Sequence, residues 1–460
     1  MLPDYVLLET FKFYLGKDYA DKFDGNHNYD GWQTLVHVSR RWRCIVFASP
    51  CCLDLKLYCT QRRSVNSKTL DIWPALPIVI VALDRRYKED VTNVIAALRH
   101  HNRVCRIYFS DVQFQDSLLK EFAAIDEPFP ALTSLELFSF GQNVPVLPNS
   151  FLGGSAPQLR SLELAGIPYS SIGKLLSSTT NLVRLSLWRI PHSGYIAPET
   201  IVPFLSMLPK LKSLELGFKH PRSEAHRASR HPLSSKRVVF PSLTFLRFGG
   251  NIDYLEDILS QIETPMLNRS YLLFFNRLVF NAPLLGHFIR RTEAFRTVHR
   301  ARIQFHTWAV WVTLWRRGEK ANNDQEALHF EISCKPFDWQ LSAISQVLNS
   351  FLSSISTLES LEITVPREDG RDEIEVIQWR DFFHMFTSVK DMTLEFEHSV
   401  RVVAPALQEL AGEKATEALP ALRDIFLRTY DWQPPAPVKE EIDQFIAVRQ
   451  VNGRPVTIHY

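Results

Sequence analysis

Pro130-Ala131-Leu132-Thr133-Ser134-Leu135-Glu136-Leu137 decides the fold, because it recurs. Pro157-Gln158-Leu159-Arg160-Ser161-Leu162-Glu163-Leu164 repeats it, and Pro209-Lys210-Leu211-Lys212-Ser213-Leu214-Glu215-Leu216 and Pro241-Ser242-Leu243-Thr244-Phe245-Leu246-Arg247-Phe248 continue the series. Leu182-Val183-Arg184-Leu185-Ser186-Leu187 lacks the proline and keeps the apolar spacing. Later copies begin at Leu358, Val389 and Pro420, and Val104-Cys105-Arg106-Ile107-Tyr108-Phe109 is an earlier, degenerate one. From Val104 through Leu132, Leu159, Leu182 and Leu211 to Leu243, the first apolar positions step by 28, 27, 23, 29 and 32 residues. The alternation in L-x-L puts both leucines on one side of a strand. One such unit cannot bury its leucines alone, so neighbours must stack and share a continuous core.

The spacing resembles a leucine-rich-repeat solenoid. That resemblance implies an α/β fold, a horseshoe with a parallel sheet on its concave face, each unit giving one short strand and a return segment. Residues 51–433 are expected to form it, with convex helices over 200–208 and 254–262. Between Leu267 and Leu358 the motif blurs, yet Leu328-His329-Phe330-Glu331-Ile332 alternates as a strand, so the solenoid is expected to continue. Trp308, Trp311 and Trp315 have helical spacing, but the β-branched Val310, Val312 and Thr313 favour a strand or hairpin over 303–314. Their rings are read as packing rather than as a ligand cage, and 316–326 as a surface loop. Pro434-Pro435-Ala436-Pro437 breaks the repeat. Residues 434–460 are expected to cap the stack, with Ile442, Phe445, Ile446 and Arg449 along a helix and a last strand over 455–458.

Composition narrows the function classes. Of 460 residues, 45% are hydrophobic and 22% charged, an ordinary globular balance. Lys plus Arg number 52 against 50 Asp plus Glu, a net of +2, which gives no bulk argument for nucleic acid or an acidic membrane. Glycine, at 17, is scarce, which disfavours a Gly-rich phosphate-binding enzyme. Cys44, Cys51, Cys52, Cys59, Cys105 and Cys334 include no CxxC, and His27 and His37 do not fall at finger spacing, so no metal is expected. The six thiols are expected to be buried in a reducing compartment. With no signal peptide and no aliphatic run beyond the six residues 78–83, the cytosol or nucleus is expected.

The first fifty residues differ from the rest of the chain. Val6, Leu7, Leu8 and Phe11 share a helical face behind Leu2-Pro3-Asp4, Pro3 suiting a first turn. After a turn-rich insertion over 16–31, Leu35, Val38, Trp42 and Ile45 recur at three and four residues, on one helix or two consecutive ones. The patterns L-P-x-x-V-L-x-x-x-F and L-x-x-V-x-x-x-W-x-x-I resemble the F-box. That resemblance implies a small all-α domain, residues 1–50, which docks the Skp-type adaptor of a cullin–RING ubiquitin ligase. Leu2, Pro3, Val6, Leu7 and Phe11 fall on its first-helix positions, and Leu35, Val38, Trp42 and Ile45 on the later ones. Tyr5, Thr10 and Ser39 depart from the residues common there. Arg41-Trp42-Arg43, Val46-Phe47-Ala48-Ser49-Pro50, Leu53-Asp54-Leu55-Lys56-Leu57 and Asp71-Ile72-Trp73-Pro74-Ala75-Leu76-Pro77 extend the likeness to the expanded F-box family of mushroom-forming fungi, whose F-box precedes irregular leucine-rich repeats.

Chemistry is not advertised. HExxH, P-loop, GxSxG and Rossmann fingerprints are missing, and His100-His101 has no evident carboxylate partner in sequence. No catalytic residue or cofactor is expected, and catalysis would belong to partner subunits. The slot between the last two apolar residues of each copy faces outward from the sheet. Glu136, Glu163, Glu215, Glu331 and Glu362 fill it, with Ser186, Arg247, Thr393 and Phe426 in other copies. Glu136 beside Glu163 is mildly repulsive at strand spacing. Either these are ordinary polar fillers or Glu136, Glu163, Trp188, Glu215, Arg247, Glu331 and Glu362 form a target-binding face. The basic stretch 219–237 is either a docking loop for phosphate or acidic sequence or a surface insertion. The acidic run 368–375 reads as a solvated loop. Two functions remain open: a ubiquitin-ligase substrate receptor binding an unknown target protein, and a plain repeat scaffold with a helical cap. An enzyme would need a convergent pocket.

Overall fold

A computed structural model of the chain describes residues 2–16, 31–60, 75–82, 91–109, 124–140, 147–148, 151–168, 173–219, 237–275, 282–318, 324–334, 337–350, 355–365, 376–410, 418–429 and 434–460. Residues 220–236 of the basic stretch, the acidic run and most of the insertion after the first helix lie outside the described residues. The chain divides into two compact units, Met1–Ala197 with Met207–Leu211, and Pro198–Ser206 with Lys212–Tyr460. The expected boundary at residue 50 lies inside the first unit and that at 434 inside the second.

The first unit opens with three helices. In α1 (Asp4–Gly16) the Pro3 carbonyl accepts from Val6 N at 3.1 Å and Leu7 N at 3.2 Å, so proline sits where its missing N–H costs nothing. Ser39 separates α2 (Gly31–Val38) from α3 (Arg40–Ala48). Its extended backbone ends one helix, while its side chain caps the next by accepting from Trp42 N at 3.2 Å. Six strands follow among the described residues: β1 (Leu57–Thr60), β2 (Ile78–Ala82), β3 (Val104–Phe109), β4 (Ser134–Phe138), β5 (Ser161–Ala165) and β6 (Arg184–Ile190). They pair in chain order, and every pairing is parallel.

Register explains the repeat. Ile107, Leu135, Leu162 and Leu185 lie directly opposite one another across β3 to β6, and Leu137 and Leu164 align in the next inward row with Phe109 and Leu187. All are buried, as are the first-position leucines Leu132, Leu159 and Leu182. Burying each leucine contributes roughly 1.5–3 kcal/mol relative to exposure, but only when the next repeat covers it.

The second unit continues the pattern with one interruption. Its strands are β7 (Ser213–Phe218), β8 (Val238–Val239), β9 (Phe245–Gly250), β10 (Ile262–Glu263), β11 (Arg269–Phe275), β12 (Val298–Phe305), β13 (Ala309–Arg316), β14 (Gln325–Ser333), β15 (Ser360–Thr364), β16 (Asp391–Glu395), β17 (Asp424–Arg428) and β18 (Thr457–His459). The main sheet runs β7-β9-β11-β14-β13-β12-β15-β16-β17-β18, and β8 pairs with β10 separately. This order corrects the expectation of a parallel sheet throughout. β13 is antiparallel to both neighbours, so β12, β13 and β14 form a meander laid back to front between β11 and β15. The motif blurs because hairpin joins need no return helix and therefore no consensus leucines. Val310, Val312 and Leu314 point into the core, while Trp311, Thr313 and Trp315 occupy the other face. Gln340, fully buried in the helix Phe337–Asn349, anchors the meander by donating to the carbonyls of His306 at 2.7 Å and Cys334 at 2.8 Å.

The expected helices form at Pro198–Ser206 and Ile252–Gln261, the latter capped by Asn251. At the end, the helix Ala436–Val451 lies before β18, which pairs with β17 in parallel. Arg449 is fully buried there, its Nη2 donating to the carbonyls of Leu419 at 3.3 Å and Leu422 at 3.2 Å.

Candidate functional site

The amino-terminal helices sort the nine residues of the F-box pattern into three groups. Leu7, Phe11 and Leu35 are buried, so they hold the helices together. Val6, Trp42 and Ile45 are half-buried, and Phe11 packs against Trp42 with ring centroids 4.8 Å apart. Leu2, 58% exposed, Val38, 56% exposed, and Pro3 face solvent. Tyr5, Phe13 and Tyr14 join them as exposed apolar side chains that the pattern did not single out. Arg41 fixes the start of α1 against α3, with Nε 2.9 Å from Asp4 Oδ1 and Nη2 donating to the Leu2 carbonyl at 2.6 Å.

The aromatic at the centre is Trp32 rather than Trp42. Trp32 is fully buried, its Nε1 donates to the Lys56 carbonyl at 3.0 Å, and its ring meets Phe47 edge-on at 6.0 Å. The sequence signal is present in Trp32, Leu35 and Val36, at i, i+3 and i+4. A single period drawn through Ser39 passes over it, because the cap resets the phase and leaves Val38 outside.

On the outer sheet face of the first unit, the expected repulsion between Glu136 and Glu163 is relieved from both flanks. Glu136 Oε1 accepts from Arg106 Nη2 at 2.9 Å and from Ser134 Oγ at 3.1 Å, while Arg184 Nη2 lies 3.7 Å from Glu163. Trp188 is half-buried opposite Ala165. Nearby, Phe140 stacks on Phe138 at 6.2 Å and carries Arg189 over its ring at 5.3 Å.

The second unit carries a single in-register row across its main sheet: Glu215, Arg247, Tyr271, His329, Thr313, Arg302, Glu362, Thr393, Phe426 and His459. Neighbours in it are matched. Arg247 reaches Glu215 at 3.4 Å and covers the Tyr271 ring at 4.9 Å; Tyr271 stacks on His329 at 4.2 Å. Thr313 Oγ1 and His329 Nδ1 are 2.9 Å apart, and Phe426 stacks on His459 at 4.6 Å. Tyr271 also donates to Glu331 at 2.7 Å; burial, then that carboxylate, pushes its phenol up. Burial, helped by Arg269 and Arg247, pulls His329 down to about 4, so its ring is neutral at pH 7.

Glu362 is 2% exposed, with Arg300 Nη2 at 2.8 Å and Arg302 Nε at 2.6 Å. Burial alone would raise its pKa, but the two arginines outweigh that and hold it low. Burial, then Glu362, raises Glu395. Glu215 and Glu362 are buried, each against an arginine of the same row. Arg247 and Glu331 stay half-buried.

No protein-family model and no curated protein matches this chain. A solved structure is similar. It is the leucine-rich repeat-containing protein LegL7 from Legionella pneumophila, 16% identical, with a TM-score of 0.29, covering 71% of this chain and 93% of that one.

Two smaller expectations are also corrected. Cys44, Cys51 and Cys52 are exposed rather than buried, whereas Cys59 and Cys334 are buried and Cys105 is partly covered. His101 has a carboxylate partner, Glu127 Oε2, at 2.8 Å, and its other ring nitrogen lies 2.9 Å from the Pro128 carbonyl. Among the described residues no three His, Cys, Asp or Glu side chains converge as a metal site would require, and no helix is long and apolar enough to cross a membrane.

Proposed function

We propose that this chain is the substrate-receptor subunit of a Skp–cullin–F-box type ubiquitin ligase. The exposed side chains of the front helices dock the adaptor, and the faces of the repeat sheets bind a target protein in the cytosol or nucleus. The observation that carries this reading is the sorting of the front helices. Leu7, Phe11 and Leu35 are packed inside, while Leu2, Pro3, Tyr5, Phe13 and Val38 are left in solvent. Those exposed apolar side chains are surface that a partner can cover. Ligase catalysis then belongs to other subunits, and this chain contributes geometry. The test is co-purification of the full chain with a recombinant Skp-type adaptor; capture supports the proposal and failure of capture at micromolar concentrations removes it.

A second reading has its own observation. Trp32 donates to the carbonyl of Lys56, the residue before β1, so the helices are tied to the start of the first unit's sheet. A non-ligase leucine-rich-repeat scaffold, with the helices as a cap, would keep that contact and would not capture the adaptor.

A further inference from the structure

We propose that the main-sheet face of the second unit holds a site for an arginine side chain of the target, built on the Glu331 carboxylate and the Trp311 and Trp308 indoles. This deepens the target-binding half of the proposed function, rests on it, and is independent of adaptor docking. Leu273, Glu331, Trp311, Gln304, Thr364 and Glu395 form one in-register row across β11, β14, β13, β12, β15 and β16. That row holds two carboxylates and no cation. The arginines nearby stand in other rows, each beside a carboxylate of its own: Arg247 with Glu215, Arg269 with Glu326, and Arg300 and Arg302 with Glu362. Glu331 accepts from the Tyr271 phenol at 2.7 Å, and no lysine or arginine among the described residues pairs with it. Burial keeps the His306 imidazole below its ordinary value against the pull of Glu331, so the ring is neutral at pH 7 and does not answer that charge.

The same sheet shows which partner is missing. Arg300 and Arg302 lie over the Trp315 ring at 5.5 and 5.7 Å while pairing with Glu362 at 2.8 and 2.6 Å. Indole, carboxylate and guanidinium form one cluster there. Trp311 and Glu331, directly opposite each other on β13 and β14, supply the first two components and have no third among the described residues. Trp311 packs on His306 at 4.0 Å, and Trp308, 57% exposed at the turn between β12 and β13, stacks on the same imidazole at 6.3 Å. Trp311 Nε1 and His306 Nε2 are buried and have no partner among the described residues, so neither ring is committed to Glu331. A guanidinium suits this place better than an ammonium, because it is planar, stacks on indole and is more weakly hydrated beside a half-buried carboxylate. Leu273, half-buried on the other side of Glu331, offers apolar surface to the methylene stem.

The probe is a fluorescein-labelled octapeptide of alternating Arg and Ser, titrated with the full chain at physiological ionic strength and read by fluorescence anisotropy. Saturable binding is expected. The citrulline peptide, which keeps the shape and lacks the charge, should not bind, and the lysine peptide should bind at least about fivefold more weakly. Glu331→Gln keeps an acceptor for Tyr271 and should weaken binding about tenfold, the effect of losing a charge-assisted hydrogen bond. Trp308→Ala removes an exposed ring and should weaken it about threefold. Circular dichroism should stay unchanged in both variants. Glu409→Gln, an equal charge change on the helix Glu397–Leu410 of the same unit, should leave binding intact. Equal weakening by Glu331→Gln and Glu409→Gln, equal binding of the lysine peptide, or absence of saturable binding each overturns the assignment. Adaptor capture by Glu331→Gln should match wild type. Failure of the peptide to bind with capture retained would remove this site and leave the receptor reading standing; the converse result would do the opposite.

Discussion

Trp32→Ala should unfold the amino-terminal helices locally, and Trp42→Ala should not. Trp32 is fully buried, so truncating it removes a large aromatic from a small core, a change that costs about 3–5 kcal/mol. Its indole N–H also bonds the Lys56 carbonyl at 3.0 Å, a contact worth about 1 kcal/mol net. Trp42 is half-buried against Phe11, so its loss should cost about 1–2 kcal/mol. Hydrogen–deuterium exchange of the full chain resolves these helices from the rest. Amides of Gly31–Val38 and Arg40–Ala48 should exchange roughly a thousandfold faster in Trp32→Ala, and about tenfold faster in Trp42→Ala. Trp32→Phe keeps most of the ring and loses the hydrogen bond, so it should fall between them. If Trp42→Ala accelerates exchange as much as Trp32→Ala, this packing assignment is wrong.

Arg449→Ala strands the Leu419 and Leu422 carbonyls and empties a fully buried site, so it should lower stability by about 2–4 kcal/mol and broaden the urea transition; an unchanged midpoint and slope would refute the capping role. Deleting 438–460 should act in the same direction, lowering solubility or cooperativity. His329 is held down to about 4, below the 6.5 of a free imidazole, so the unfolded chain takes up its proton first as pH falls. Its stabilising contribution is complete above pH 6.5 and should be lost between 6.5 and 4, by about 2–3 kcal/mol. His329→Gln should flatten the stability curve across that window, and an identical slope would show that another group titrates there. Gly166→Ala should cost at least about 2 kcal/mol in thermal denaturation. Its φ is +72° and a Cβ there would meet the Ser139 carbonyl oxygen at 2.0 Å; a neutral result would contradict that geometry.

The repeat is legible because each copy states the same burial problem. Leu135, Leu162 and Leu185 can be assigned inward from spacing alone, since a period-two strand offers one apolar side. The meander is half legible. β-branched residues around Trp311 betray a hairpin, but nothing local says that β14 returns to β11 and reverses the strand order. Trp32 escapes notice for a local reason, the Ser39 cap that breaks the helical phase. The ion pairs of the sheet face are hidden because pairing is a relation between copies. Glu215 and Arg247 share the same slot in consecutive units and therefore become neighbours, a signal visible when slots are compared across repeats rather than read along one. Arg106 and Arg184 lie outside the slot between the last two apolar residues, because each directly precedes the first of that pair, Ile107 and Leu185.

The central claim is that Leu2, Pro3 and Val38 contact an adaptor without holding the fold. An isothermal titration of a recombinant Skp-type adaptor into the full chain measures it directly, for wild type, for Leu2→Ala with Pro3→Ala, and for Val38→Asp. Wild type should bind, and both variants should bind at least about tenfold more weakly, as expected for losing apolar contacts at an interface centre, with unchanged helical content by circular dichroism. Binding of the variants equal to that of wild type, or no binding by wild type, would contradict the assignment of these helices as an adaptor-docking module.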